Sequence, residues 1–114
     1  MITKNNLFQP LPTRTDEEAF QTLLETQGFR LERIVSEAHA TPKGIWYDQN
    51  CPEWVLLMQG AAGLRIENQP EPITLFPGDY VYLPSHLKHR VEWTAPDQAT
   101  VWLTLHEKSF SETS

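Results

Sequence analysis

The sequence predicts an all-β protein, a β-sandwich or barrel, with one short helix near its N-terminus. Beyond Gly28, short strand-like runs follow one another and are separated by Pro, Gly, Asn and Asp, as is typical of compact antiparallel folds. Only one earlier stretch has apolar residues at helical spacing. With 114 residues the chain has room for a single domain with a substantial core.

The predicted helix covers residues 16–26. Its start matches a capping box, in which the hydroxyl of Thr15 is followed three residues later by Glu18. Apolar side chains then recur at helical spacing, at Ala19, Phe20, Leu23 and Leu24. Gly28 is typical of a helix end. Residues 1–28 are therefore expected to form an N-terminal arm and helix.

Eight strands are predicted in the remainder of the chain. They cover 29–39, 45–48, 53–59, 63–68, 72–76, 79–83, 88–94 and 99–107. Turn-forming sequences such as Gly60–Gly63 and Pro77–Asp79 separate several of them. The expected organisation is a barrel over 29–107 followed by a C-terminal tail over 108–114.

The strand at 53–59 is predicted to be apolar on both faces. Because successive side chains point to opposite faces of a sheet, Glu53 lies on one face with apolar neighbours. The other face carries Trp54, Leu56 and Met58. An uncovered apolar stripe is an aggregation risk, so we expect the N-terminal arm and helix or a second subunit to cover it. A homodimer is the predicted assembly.

Charge and composition exclude several functional classes. The chain has 9 Lys and Arg against 15 Asp and Glu, a net charge of -6, and no basic run, which disfavours binding to nucleic acid or to an anionic membrane. The longest apolar run, Trp54–Met58, is far too short for a membrane span, and the N-terminus lacks a signal-peptide pattern. Cys51 is the sole cysteine, so no internal disulfide forms. We expect a cytoplasmic protein.

Four candidate functional residues occur near predicted turns: Asp48, Glu53, His86 and His89. Glu53 opens a strand with apolar neighbours, and His89 lies on the apolar face of its own strand. A carboxylate and an imidazole that point into an apolar interior need a partner, because an unpaired buried charge is costly. A bound metal ion, or an ion pair between the two side chains, would supply that partner.

Gly78, Pro84 and His89 have the spacing of the second motif of the cupin superfamily, G-x5-P-x-G-x2-H-x3-N, which they resemble. Gly78 is followed after five residues by Pro84, and His89 comes five positions after Pro84. Upstream, Glu53 is followed after six residues by Gly60, which is similar to the end of the first cupin motif, G-x5-H-x-H-x3,4-E-x6-G. The resemblance covers nearly all of the strand region. It implies a double-stranded β-helix, or jelly roll, with a metal in the barrel mouth.

The sequence departs from both motifs. The two histidines of the first motif fall at Trp46 and Asp48, or at Tyr47 and Gln49, depending on the spacing used. Neither alternative contains a histidine, and we prefer the first because Asp48 can still ligate a metal. In the second motif, Trp93 stands in place of the asparagine.

The resemblance implies a divalent metal held by Asp48, Glu53 and His89. This oxygen-rich set suits Zn, Mn or Fe. His86 stands in place of the second-motif glycine and joins the set only if its turn curls back towards the site, since residues three apart on a strand point to opposite faces. The alternative for His86 is a surface turn residue, and for Asp48 a loop residue.

Three functions remain open from the sequence. The first is a metal-dependent enzyme of dioxygenase, isomerase or hydrolase type, in which Glu53 or His86 moves a proton of a small polar molecule. Its pocket would be shaped by Trp46, Tyr47 and Trp93. The second is a non-catalytic binding or sensing barrel, which the loss of two motif histidines favours. The third is a metal-free barrel that acts through its subunit interface, with Glu53 and His89 as a structural ion pair.

Overall fold

The computed structural model describes residues 2–11 and 17–108, and within these ranges it contains eight strands and no helix. The strands are β1 (Ala19–Glu25), β2 (Phe29–Ser36), β3 (Glu53–Gln59), β4 (Ala62–Ile66), β5 (Ile73–Leu75), β6 (Tyr80–Leu83), β7 (His89–Thr94) and β8 (Thr100–Glu107). The described chain accordingly has no helix that could cross a membrane. The prediction of an all-β fold is confirmed.

The strands form two antiparallel sheets that enclose one core. The larger sheet has the order β1-β2-β8-β3-β6 and the smaller one the order β5-β4-β7. Side chains from both sheets meet in the core, among them Leu57 of β3, Leu64 of β4 and Trp102 of β8. Leu57 has no exposed surface, and Trp102 is 4% exposed. Burial of this apolar surface against the opposite sheet stabilises the sandwich.

The predicted N-terminal helix is wrong, because Ala19–Glu25 is strand β1 at the edge of the larger sheet. Of the predicted range 16–26, residue 16 lies outside the described residues, as does the capping-box Thr15. A helix of this length is marginal in water on its own, and helical apolar spacing is a weak preference. Pairing with β2 instead gives the segment ladder hydrogen bonds and covers an otherwise open strand edge.

A tight turn joins β1 to β2. The backbone N–H of Thr26 donates to the carbonyl oxygen of Phe29 at 2.9 Å. The Thr26 hydroxyl oxygen in turn accepts from the backbone N–H of Gly28 at 3.1 Å. Gly28 therefore belongs to a hairpin turn, and the sheet includes residues that the sequence analysis assigned to the arm and helix.

The other predicted strands lie within three residues of the observed ones, with one exception. At 45–48 the structure has only an isolated bridge between Tyr47 and His89. The N–H of Tyr47 donates to the carbonyl oxygen of His89 at 2.8 Å, and the N–H of His89 donates to that of Tyr47 at 3.1 Å. This bridge fixes the segment that carries Tyr47 beside the start of β7.

The N-terminal arm is anchored over the β2 side of the larger sheet's outer face. The buried Arg33 side chain donates from Nη1 to the carbonyl oxygens of Leu7 at 3.1 Å and Pro10 at 3.0 Å. Arg33 lies opposite Leu103 of β8, which lies opposite Leu56 of β3. Directly opposed side chains share a face, so the arm lies on the same face as Leu56.

The β3–β6 side of this outer face stays accessible in the described structure. Trp54 is half-buried, whereas Tyr80 and Tyr82 of β6 are 65% and 55% exposed. The rings of Trp54 and Tyr80 have their centroids 5.5 Å apart. We call Trp54, Tyr80 and Tyr82 the aromatic patch. The dimer is predicted from the stripe of Trp54, Leu56 and Met58, and all three stripe residues are half-buried.

Candidate functional site

A cavity of about 260 Å³, which we call the barrel cavity, lies between the two sheets. Its titratable lining residues are Glu18, Arg30, Glu32, Glu53, His89 and His106. Its aromatic lining residues are Phe20, Tyr47 and Trp102. The remainder of the wall is mainly aliphatic. A concave apolar pocket with a few convergent polar groups is typical of small-molecule sites.

Strand register places three polar side chains in one row on the wall of this cavity. His106 of β8 lies directly opposite Glu53 of β3 on one side and opposite Arg30 of β2 on the other. Glu32 follows Arg30 by two positions on β2 and therefore points to the same face. The row is assembled by strands that are far apart in sequence.

Glu53 is buried between the two histidines of the cavity. Its side chain is 10% exposed, and its Oε1 and Oε2 lie 3.9 Å from His89 Nε2 and 3.6 Å from His106 Nε2. Both separations are too long for a direct hydrogen bond. Burial, followed by the neighbouring charge of Glu32, raises the pKa of Glu53 to about 7. A large fraction of the protein therefore carries a protonated Glu53 at neutral pH.

The ring of His89 is held in one orientation by the backbone. Its Nδ1 lies 2.8 Å from the carbonyl oxygen of Leu87. A carbonyl only accepts, so Nδ1 carries the hydrogen and Nε2 of the neutral ring is an acceptor that faces Glu53. Protonated Glu53 is a hydrogen-bond donor and Nε2 of His89 is an acceptor. Their separation of 3.9 Å would require a water molecule or a ligand atom to bridge them.

His106 links Glu53 to a second carboxylate. Its Nε2 lies 3.2 Å from Glu32 Oε1 and 3.3 Å from the hydroxyl oxygen of Thr104. Burial, followed by the positive charge of Arg30, lowers the pKa of His106, although Glu32 acts in the opposite direction. Both carboxyls therefore face the same imidazole nitrogen, with Glu32 within hydrogen-bond distance and Glu53 just beyond it. We call Glu32, His106 and Glu53 the proton chain.

Two of the predicted site residues lie at the surface and pair with each other. His86 Nδ1 and Asp48 Oδ1 are 2.9 Å apart, and their side chains are 67% and 41% exposed. Neither lines the barrel cavity. Of the predicted metal ligands Asp48, Glu53 and His89, the cavity thus brings together the last two. Of the predicted proton carriers it contains Glu53.

The three aromatic residues predicted to shape a pocket are also separated. Tyr47 lines the barrel cavity, and its ring centroid lies 5.9 Å from that of His89. Trp46 and Trp93 are more than a third exposed and do not line it. Trp93 instead packs over Gly63, where an added Cβ would lie 2.6 Å from Trp93 Cδ1.

The metal that the cupin resemblance implies is only partly matched by these residues. The imidazoles and carboxylates of the cavity are donors that Zn, Mn and Fe accept. Within the described ranges, however, no three His, Cys, Asp or Glu side chains form a group that could hold a metal ion. The donor chemistry fits and the arrangement does not, so we derive no step through a metal.

Sequence reasoning missed Glu32, His106 and Arg30. Alternation along the strands carries the signal that would have found them. Glu32 lies two positions from Ile34, which also lines the cavity, and Thr104 and His106 continue the face of Trp102.

Comparisons with known proteins place the chain in a family. No protein-family model matches it, and no curated protein matches its sequence. A solved structure from Ralstonia eutropha JMP134, named "putative mannose-6-phosphate isomerase", is 41% identical, with a TM-score of 0.90 over 95% of this chain and 100% of that one.

More distant solved structures share the fold. A cupin superfamily protein from Desulfitobacterium hafniense DCB-2 is 15% identical with a TM-score of 0.70, over 87% of this chain and 84% of that one. An RmlC-like cupin with a double-stranded β-helix, from Methanocaldococcus jannaschii, is 18% identical with a TM-score of 0.67, over 94% and 92%. With the motif spacing, the two-sheet barrel and a full-length relative at 41% identity, the chain belongs to the cupin superfamily.

Proposed function

We propose that this cupin binds a small polar molecule in the barrel cavity and exchanges a proton with it, as an isomerase-type enzyme does. The buried Glu53 carboxyl between two imidazoles is the observation that carries the proposal. The isomerase name of the Ralstonia eutropha relative supports this class of chemistry, because isomerisation of a small polar molecule commonly moves a proton.

The proton chain is suited to this exchange. Protonated Glu53 can donate to a ligand atom in the cavity, and its carboxylate can take a proton back. His106 Nε2 lies 3.2 Å from Glu32 and 3.6 Å from Glu53, so the imidazole and Glu32 are neighbouring groups that can hold a proton when Glu53 has released its own. Tyr47 and the aliphatic wall limit the access of water, which keeps the carboxyl pKa near the operating pH.

Hydrogen exchange into a bound ligand tests the proposed reaction. We expect the EDTA-treated protein in D₂O to introduce deuterium, seen by proton NMR, next to the carbonyl of at least one compound from a panel of small neutral, cationic and anionic hydroxy- and amino-carbonyl compounds. Glu53→Gln should slow the exchange by about 100-fold or more, because the proton carrier is lost.

Glu67→Gln is the matched control, since Glu67 is an exposed carboxylate outside the cavity. It should exchange at the wild-type rate. Binding of a panel compound without exchange would contradict the enzymatic part of the proposal and support a binding or sensing barrel. No binding of any compound would overturn the proposal as a whole.

The divalent metal implied by the cupin motifs is the second candidate, because the cavity holds imidazole and carboxyl groups, which Zn, Mn and Fe accept as donors. Within the described residues these side chains do not form a group that could hold a metal ion as they stand, so the proposal assigns the metal no ligand set and no step. The same exchange assay distinguishes the candidates. Activity only after addition of Zn²⁺, Mn²⁺ or Fe²⁺ supports the metal, and activity in EDTA supports the proton chain alone.

We also propose a homodimer through the aromatic patch, because its exposed Tyr80 and Tyr82 continue the half-buried apolar face of β3. Sedimentation of the wild type at micromolar concentration should give a dimer. The double change Tyr80→Glu and Tyr82→Glu should give a monomer, because charges cannot be buried without partners. Ile45→Ser, at an exposed apolar residue outside the patch, should stay dimeric. A wild-type monomer would contradict the proposal.

A further inference from the structure

The charge of the cavity wall is unbalanced. Three carboxylates line the barrel cavity, those of Glu18, Glu32 and Glu53, whereas Arg30 supplies the one guanidinium among the described lining residues. Arg30 Nε lies 3.4 Å from Glu32 Oε2 but makes no hydrogen bond within the described residues, so Glu32 offsets this positive charge only through proximity. With the histidines counted as neutral, the wall is net negative even when Glu53 is protonated.

This wall is poorly suited to a phosphate group. The nearby Arg33 is turned away, because its Nη1 donates to backbone carbonyls of the N-terminal arm. None of the described lysines lines the cavity. A phosphate ester carries about two negative charges at neutral pH, and here it would meet a net negative wall in which Arg30 is the one guanidinium among the described lining residues. The phosphate in the name of the Ralstonia eutropha relative therefore has no matching group here.

The Glu53 carboxyl is able to take a further partner in the cavity. Its side chain is nine-tenths buried, and the two imidazole nitrogens beside it, at 3.6 and 3.9 Å, are beyond hydrogen-bond distance. Buried polar groups in folded proteins nearly always have a hydrogen-bond partner. A ligand group that donates hydrogen bonds or carries positive charge would complete this carboxyl.

Aromatic side chains complete the cavity. Phe20, Tyr47 and Trp102 line it together with the carboxylates, and aromatic rings beside carboxylates are the surroundings that favour organic cations. Trp102 Nε1 donates to the Ser36 hydroxyl oxygen at 3.1 Å, and that hydroxyl donates to Glu18 Oε2. One ring and one carboxylate are thus held in place before any ligand arrives, which lowers the cost of binding.

We propose that the barrel cavity selects a small organic cation, an amine or quaternary ammonium compound, over neutral and anionic molecules of the same size. A volume of about 260 Å³ corresponds to on the order of nine water molecules, so the ligand has about ten non-hydrogen atoms or fewer. The inference rests on the proposed function, since it names the ligand class of the same site.

Calorimetric titration with matched probes tests the selection. The cations are ethanolamine and choline, their neutral isosteres are propan-1-ol and 3,3-dimethylbutan-1-ol, and the anionic probe is inorganic phosphate, which is small enough for the cavity. We expect at least one cation to bind about tenfold more tightly than its neutral isostere, and no binding of inorganic phosphate. The preference should weaken as salt is added, because part of it is electrostatic.

Variants identify the groups responsible. Glu18→Gln should weaken binding of the cation about fivefold and lower its preference over the neutral isostere, whereas Glu67→Gln should change neither. Thermal unfolding confirms that each variant is folded. Equal binding of cation and isostere, or binding of inorganic phosphate in the cavity, would overturn the cation preference and leave the proposed binding function intact. If none of these probes binds and the wider panel also fails, the proposed function falls as well.

Discussion

Replacement of Gly60 by alanine is expected to lower the free energy of unfolding by about 3 kcal/mol. Gly60 has a φ of 91°, in the left-handed region that side chains disfavour. A Cβ at this position would also lie 2.8 Å from the Cα of Thr100. Thr100 is fully buried, so its backbone has no room to move away. Backbone strain and steric overlap therefore add at the same site.

Gly78→Ala is the matched control. Gly78 has a similar φ of 96°, but a Cβ there would have no atom within 4 Å. Gly78→Ala should lower the free energy of unfolding only by the strain of a side chain at positive φ, about 1–2 kcal/mol. Urea unfolding measures both variants, through a shift of the midpoint at unchanged slope. Equal losses in the two variants would show that the approach of Thr100 contributes nothing.

The two glycines also explain why the barrel was predictable. Gly60 and Gly78 are both glycines of the cupin motif pattern, and each has the positive φ that a turn requires. Turn chemistry and strand alternation are local signals, which is why 53–59 coincides with β3. The segment Ala19–Glu25 was not predictable in this way, because its apolar spacing fits a helix and its strand conformation depends on pairing with β2.

The site was less predictable than the fold because it depends on register. Which residue of β8 faces Glu53 follows from the pairing of β3 with β8, and that pairing places His106 there. Motif alignment made Asp48 the next ligand, but the fold pairs Asp48 with His86 at the surface. Glu32 was missed because charged strand residues are usually solvated, although its alternation with Ile34 placed it on the inner face.

Replacement of Glu53 by glutamine is expected to raise the free energy of unfolding at pH 8 by about 3 kcal/mol. The folded-state pKa of Glu53 is about 7, against an ordinary value of 4.5. Between these values the folded chain keeps a proton that the unfolded chain has released. Stability therefore falls as pH rises from 4.5 through about 7 and stays lower above it. Glutamine keeps the shape of the protonated acid and removes this loss.

The pH profile separates this effect from simple repacking. Since burial lowers the pKa of His106, the unfolded chain takes up a proton below about pH 6.5 that the folded chain does not, and stability is lost there as pH falls. In the wild type, Glu53 and His106 change the free energy of unfolding in opposite directions between pH 4.5 and 6.5, whereas in Glu53→Gln only the effect of His106 remains. The free energy of unfolding of the variant, measured in EDTA, should therefore increase as the pH rises from about 5 towards 6.5, and Glu67→Gln should behave as the wild type. Identical profiles in wild type and Glu53→Gln would mean that the pKa of Glu53 is not raised in the folded protein, and the proton chain would then lack its proton carrier at neutral pH.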